Sequence, residues 1–193
     1  MSTRRSLLQL AVVPLALAFG SAALAADTPG LGKPIAEADI APWDITVFPD
    51  GTGLPPGSGT AAQGTKIYAE KCAACHGDGG KGGPAGPPLV GGPPLSSGIE
   101  ALKTVGNYYG DPTPVFDFIR RAMPFNEPKT LTNDEVYALT AYLFSLNKIV
   151  GENDAMNAQT LPQVKMPNRD NFIVWDPDRI GYDPLRTQGP AMR

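Results

Sequence analysis

Three residues able to bind a metal or react with a cofactor stand close together in the sequence, at Cys72, Cys75 and His76. On a helix, positions i, i+3 and i+4 lie on one face, so both thiols and the imidazole can meet a single group. The Cys-x-x-Cys-His spacing is the attachment signature of c-type haem, whose vinyl groups form thioethers with the two thiols. The motif therefore predicts one covalently bound haem c, attached at Cys72 and Cys75, with His76 as an axial ligand of the iron.

Other chemistries of this residue set fit the sequence less well. A thioredoxin-like thiol pair belongs to an alternating strand and helix pattern, and the chain has none. A structural zinc ion takes four ligands, but the chain has only two cysteines and one histidine. Zinc would therefore need carboxylates to complete its ligand set.

The second axial ligand cannot be a histidine of the same chain, so a methionine or an open distal face remains. Met123 follows a short helical pattern and stands directly before Pro124, which ends a helix. A thioether on such a turn can face inward, and its soft sulfur favours ferrous iron and raises the potential. Met123 is therefore the predicted distal ligand. The other methionines beyond residue 25 are Met156, Met166 and Met192.

Two helices are predicted on either side of this site. Good helix formers run from Ala61 to the motif, and the Gly- and Pro-rich residues 77–94 stop any helix after it. Glycine also lets the backbone run close to a flat macrocycle, since it adds no side chain. Thr132 to Glu135 matches a capping box. Apolar residues follow it at helical spacing: Val136, Leu139, Leu143 and Leu146.

Residues 1–25 are predicted to be an export signal that is cleaved near Ala25. The segment begins with Arg4 and Arg5, continues as an apolar run and ends in a small-x-small site. An uncleaved anchor is the alternative, but an interior proline and glycine favour cleavage. The twin-arginine route is also possible, although the general secretory route better suits a protein that receives its cofactor outside the cytoplasm. The expected location is the periplasm, without membrane association.

The charge balance argues against a nucleic-acid partner. The chain has 16 Lys and Arg residues against 19 Asp and Glu, and loss of residues 1–25 removes two arginines and no acid. Nucleic-acid-binding proteins instead carry a basic excess.

Residues from about Gly59 to Ile149 resemble a class I cytochrome c. The order is an N-terminal helix, the haem signature, a Gly/Pro loop, a short helix, a Met-Pro loop and a C-terminal helix. In that family the first and last helices cross where a small residue meets aromatic residues, and Gly64, Tyr68 and Tyr142 match those positions. The resemblance implies an all-α fold, with long irregular arms added at both ends.

The stretch from about Asp39 to Asn171 also resembles the cytochrome subunits of sulfane dehydrogenases (the SoxD family) of the Sox sulfur-oxidation system. This resemblance implies an electron-transfer subunit with no catalytic residues of its own. It would accept electrons from a molybdenum-containing dehydrogenase subunit and pass them to another cytochrome. Some relatives carry a second haem domain, whereas this chain has one signature. A cytochrome subunit of a sulfite dehydrogenase is therefore an alternative.

The sequence divides into an N-terminal arm (26–58), a cytochrome domain (59–150) and a C-terminal arm (151–193). The arms lack regular periodicity and contain both tryptophans, Trp43 and Trp175. Because aromatic residues are enriched at binding hot spots, we interpret the arms as segments that dock onto a partner. They could instead wrap their own domain, in which case a free electron carrier is the alternative. A haem enzyme or sensor with an open iron is a third possibility.

Overall fold

A computed structural model describes residues 31–95 and 101–172. The predicted signal and Trp175 lie outside these residues, as does Met192. The chain divides into two units, with the boundary in the sequence between Trp43 and Asp44. In the first unit the described residues include one helical turn, α1 (Glu37–Ile40), and every residue from 31 to 43 is exposed.

The second unit is mostly helical, as the sequence predicted. After α1 (Glu37–Ile40) of the first unit, the second unit contains two strands and four helices among the described residues. In chain order they are β1 (Ser58–Thr60), α2 (Ala61–Lys71), α3 (Ala73–His76), α4 (Thr113–Ala122), α5 (Asn133–Leu146) and β2 (Ala155–Asn157). Short 3₁₀ turns cover Asp78–Gly80, Leu161–Gln163 and Arg169–Asn171. No helix among the described residues is long and apolar enough to cross a bilayer.

Both long helices begin at capping boxes. The predicted box at Thr132 is present: its side chain accepts from the Glu135 backbone, and the Glu135 side chain accepts from the Thr132 backbone. Thr60 and Gln63 form a second box at the start of α2. A capping box satisfies backbone donors that a helix start leaves without partners, so these residues set where α2 and α5 begin.

Helices α2 and α5 cross in close contact. A Cβ atom on Gly64 would overlap the carbonyl of Ala138 and lie 2.7 Å from the Cβ of Tyr142. Tyr68 and Tyr142 pack with ring centroids 5.1 Å apart, and Lys71 Nζ lies 2.7 Å from a carboxylate oxygen of Glu135. The crossing therefore has the small residue and aromatic partners that the resemblance implied.

Helix α4 packs on α5 and ends where the sequence predicted. Phe116 is fully buried, and its ring lies 4.5 Å from that of Tyr137 on α5. The helix ends at Ala122, and Met123 adopts an extended conformation as its C-cap. Proline at the next position disfavours the helical conformation for Met123, so the thioether stands on the turn that follows α4.

The hydrophobic core continues past residue 150, into the segment that the sequence assigned to the C-terminal arm. Strand β2 pairs antiparallel with β1, with Met156 opposite Gly59. Beyond β2, further side chains join the core: Leu161, Val164 and Met166. This part of the arm therefore packs on its own domain. The two-stranded sheet is a feature that the predicted all-α fold did not include.

Residues 44–57, which the sequence assigned to the N-terminal arm, belong to the second unit and contact α4 and α5. Tyr137 donates its hydroxyl hydrogen to the carbonyl of Pro55 at 2.8 Å, and Arg121 donates to the carbonyl of Ile45 at 2.9 Å. Val47 and Leu54 pack against the core. These contacts hold residues 44–57 in place without regular secondary structure. Their sequence therefore shows no periodicity.

Candidate functional site

The Cys-x-x-Cys-His motif occupies a single turn. Cys72 lies at the junction of α2 and α3, and its carbonyl accepts from the backbone N–H of Cys75 at 3.1 Å and of His76 at 2.9 Å. Cys72 is partly buried, Cys75 is exposed, and the two do not form a disulfide. One turn thus carries two free thiols and an imidazole, as the spacing predicted.

The orientation of His76 is fixed by the loop that follows the motif. Its Nδ1 atom lies 2.8 Å from the carbonyl oxygen of Pro87. A carbonyl can only accept, so Nδ1 carries the hydrogen and the lone pair of the neutral ring is on Nε2. An imidazole in this tautomer can bind a metal through Nε2, and the hydrogen bond at Nδ1 increases its basicity.

Glycines make room for this arrangement. A Cβ atom on Gly86 would lie 2.9 Å from Nδ1 of His76, and one on Gly83 would overlap the carbonyl of Cys75. Gly77 has a φ of 75°, and its carbonyl accepts from the hydroxyl of Tyr68 at 3.0 Å. The sequence predicted a backbone that can approach closely, but it did not identify Pro87 as the partner of His76.

The donor set fits haem better than zinc. Burial raises the pKa of the Cys72 thiol to about 11, and a zinc ion would need a fourth ligand in addition to the three residues of the motif. Within residues 31–95 and 101–172, no group of three His, Cys, Asp or Glu side chains could hold a metal ion. Two free thiols beside an imidazole with an available Nε2 match the chemistry of haem attachment.

Among the described methionines, Met123 differs from the others in its surroundings. Met156 and Met166 are only 3% and 1% exposed, so protein atoms already surround their sulfurs. Met123 is partly buried and packs on the edge of the core, as do Leu89 and Cys72. A distal ligand needs a sulfur that the iron can reach, and of these three methionines only Met123 is partly exposed. Its role as the ligand stays a prediction.

Comparisons with a protein-family model and with solved structures both find proteins similar to this chain. A family model described as cytochrome c matches residues 61–147. The chain is similar to a chain of the crystal structure of the sulfane dehydrogenase SoxCD from Paracoccus pantotrophus, with 38% identity and a TM-score of 0.69. That match covers 86% of this chain and 81% of the other.

A second relative shares a shorter region. The chain is 33% identical over 98 residues to a thiosulfate dehydrogenase from Stutzerimonas stutzeri (strain A1501). This match includes 47% of the chain but spans only 29% of the length of that protein. The likeness therefore concerns one region of the thiosulfate dehydrogenase.

We expect the cofactor to be covalent and single. The intact mass of the mature protein should exceed that of its polypeptide by one haem, and acidified acetone should fail to extract the colour, because thioethers hold the group. Replacing Cys72 or Cys75 by Ala should weaken attachment. A wild-type protein that releases its haem into acidified acetone contradicts this expectation.

We expect Met123→Ala to abolish the red-region sulfur-to-iron absorption band of the oxidised protein and to lower its reduction potential, because a soft thioether ligand is lost. Met166→Ala is the matched control. It should keep the band but reduce stability by about 2–5 kcal/mol, the usual effect of truncating a buried methionine. If the band is lost in Met166→Ala and kept in Met123→Ala, the assignment is wrong.

Proposed function

This chain belongs to the class I c-type cytochromes, and from that membership we propose that it is the electron-transfer subunit of a periplasmic dehydrogenase complex. It would accept electrons from a molybdenum-containing sulfane dehydrogenase subunit and pass them to another cytochrome. The comparisons confirm the family and the predicted fold, a class I cytochrome c domain with irregular arms. Catalysis at sulfur would belong to the partner, so this chain is not an enzyme by itself.

The observation that carries the proposal is the extent of the structural likeness. The cytochrome c family model accounts for residues 61–147 only. The match to a sulfane dehydrogenase chain covers 86% of this chain, and so includes many residues outside that range. A free carrier needs only the haem domain. A likeness that continues into the arms therefore favours a subunit that shares the binding role of the sulfane dehydrogenase chain.

The residues of the site supply binding and orientation for electron transfer. Haem c, when bound, supplies an iron that carries one electron at a time between the ferrous and ferric states. Cys72 and Cys75 would hold the group covalently, and His76 would bind iron through Nε2 while Pro87 holds its other nitrogen. Met123 would present its thioether from the turn after α4, which raises the potential and suits an electron acceptor.

The N-terminal arm supports a persistent complex. Large apolar side chains between residues 31 and 43 are mostly exposed to solvent: Leu31 (88%), Ile35 (65%), Ile40 (44%) and Trp43 (79%). Exposed apolar clusters mark interaction sites in soluble proteins. We therefore assign this segment to docking. In the C-terminal arm, by contrast, the described core residues pack on their own domain.

The location in the periplasm rests on the predicted signal at residues 1–25. A dehydrogenase that oxidises sulfite instead of sulfane sulfur is the nearest alternative for the partner, since its cytochrome would need the same haem site. The relative named thiosulfate dehydrogenase matches over 98 residues, too short a region to favour its substrate for this complex.

Co-purification tests the function directly. We expect the affinity-tagged cytochrome, expressed in its own organism, to elute with a larger subunit. Metal analysis of the eluate should find molybdenum together with iron, because a persistent complex keeps donor and acceptor together. Reduction of the haem by sulfane sulfur or by sulfite would then distinguish the two candidate partners. Elution of the cytochrome alone, with iron and no molybdenum, supports a free carrier instead.

Trp43→Ala should weaken the complex without changing the haem spectrum. A tryptophan hot spot contributes about 2 kcal/mol or more, which corresponds to a dissociation constant raised roughly 30-fold. Titration of partner into labelled cytochrome measures this change, and Trp175→Ala tests the second predicted anchor in the same way. Leu102→Ala serves as the control, since Leu102 is 48% exposed but lies outside the arms. Unchanged affinity of both tryptophan variants would show that the arms do not dock.

A further inference from the structure

Asn147 connects the end of α5 to the loop that holds His76. It is the C-cap residue of α5, and its side chain uses both ends of its amide. Oδ1 accepts from the backbone N–H of Gly91 at 3.1 Å. Nδ2 donates to the carbonyl of Leu89 at 3.2 Å and to that of Leu143, on α5 itself, at 2.8 Å. One side chain therefore joins the loop at two points to the last turn of the helix.

The segment held by Asn147 is short and has little freedom. Leu89 donates its N–H to the carbonyl of Gly80 at 2.7 Å, and its carbonyl also accepts from Val105 at 3.1 Å. Between Leu89 and Pro87 stands only Pro88, whose ring fixes φ. Few backbone torsions therefore separate Leu89 from the carbonyl of Pro87, so a shift of Leu89 would be passed on to that carbonyl.

The surroundings of Asn147 are shaped to admit its side chain. A Cβ atom on Gly106 would overlap Oδ1 of Asn147 and lie 2.9 Å from its Cγ. Only glycine leaves space for the amide at this position. The Asn147 side chain is therefore held by close packing against Gly106 as well as by hydrogen bonds.

We propose that Asn147 is a positioning residue for the proximal ligand. It holds residues 89–91 so that the carbonyl of Pro87 accepts the Nδ1 hydrogen of His76. This inference rests on the proposed haem site but not on any partner subunit. A strong hydrogen bond at Nδ1 increases the basicity of Nε2 and stabilises ferric iron. Asn147, at the C-terminal end of α5, would thereby lower the reduction potential of the haem.

The test uses the haem-loaded protein with Asn147→Ala, and with Asn147→Ser as a milder variant in case the first does not fold. The measurements are the midpoint potential and the proton NMR signal of the His76 Nδ1 hydrogen in the reduced protein. We expect the potential to rise in both variants, because a weaker hydrogen bond makes His76 a poorer donor to ferric iron. The Nδ1 signal should shift upfield, and its exchange with solvent should become faster.

The control is Asn107→Ala. Asn107 is also a buried amide near this loop, but its Nδ2 donates to the carbonyls of Pro93 and Leu102, and its Oδ1 accepts from the N–H of Thr104. Because it reaches residues 89–91 only through Thr104, its loss should reduce stability but move the Nδ1 signal less than the loss of Asn147. Loss of packing alone would admit water to the site and lower the potential, the opposite sign.

A fall or no change in the potential of the Asn147 variants overturns the proposal, as does an equal rise in Asn107→Ala. Failure of the haem site itself would be recognised separately, because the wild-type protein would then lack covalent haem.

Discussion

The close approach of α2 and α5 at Gly64 is the constraint on which the rest of the structure depends. A side chain at Gly64 would force the helices apart, because the carbonyl of Ala138 occupies that space. The helix α2 leads directly into the Cys-x-x-Cys-His turn, and α5 carries much of the buried core. The ion pair of Lys71 with Glu135 and the contact between Tyr68 and Tyr142 both form across this crossing. The distance between these two helices therefore fixes where the attachment turn stands relative to the core.

Helix α5 also serves as a common reference for the two predicted iron ligands. On one side, Asn147 at its C-cap holds the loop whose Pro87 carbonyl contacts His76. On the other side, α4 packs on α5 through Phe116 and ends at Met123. Axial ligands from distant parts of a chain keep a fixed geometry only when the elements that carry them are rigidly connected. A single buried helix provides that connection for His76 and Met123, so core packing would influence the redox properties of a haem bound between them.

The sequence was informative where local chemistry decides the structure. The helical turn of the Cys-x-x-Cys-His motif, the capping box at Thr132 and the end of α4 before Pro124 depend on neighbouring residues, and the structure has all three at those places. The pairing of β1 with β2 and the hydrogen bond between Asn147 and Gly91 could not be predicted. In both cases the residues that come together are tens of positions apart in the chain. The described residues after 150 form only a three-residue strand and two 3₁₀ turns of three residues each, which are too short to produce a periodic pattern. Hydrophobic periodicity indicates regular helices and strands, so an irregular segment that packs on its own domain gives no such signal.

Residues 31–43 and the described part of the C-terminal arm differ in how exposed their apolar side chains are, and this difference bears on the docking role proposed for each. Met156, Leu161 and Met166 are already buried against their own domain, so moving them onto a partner would expose apolar surface that folding has removed from water. Substitutions there should act on the stability of the cytochrome itself. Residues 31–43 have no buried side chain. Binding could therefore bury Trp43 without disrupting existing packing, although fixing backbone and side chains on a partner costs conformational entropy. Affinity supplied by such an arm depends on a few large anchors, which makes it sensitive to a single substitution.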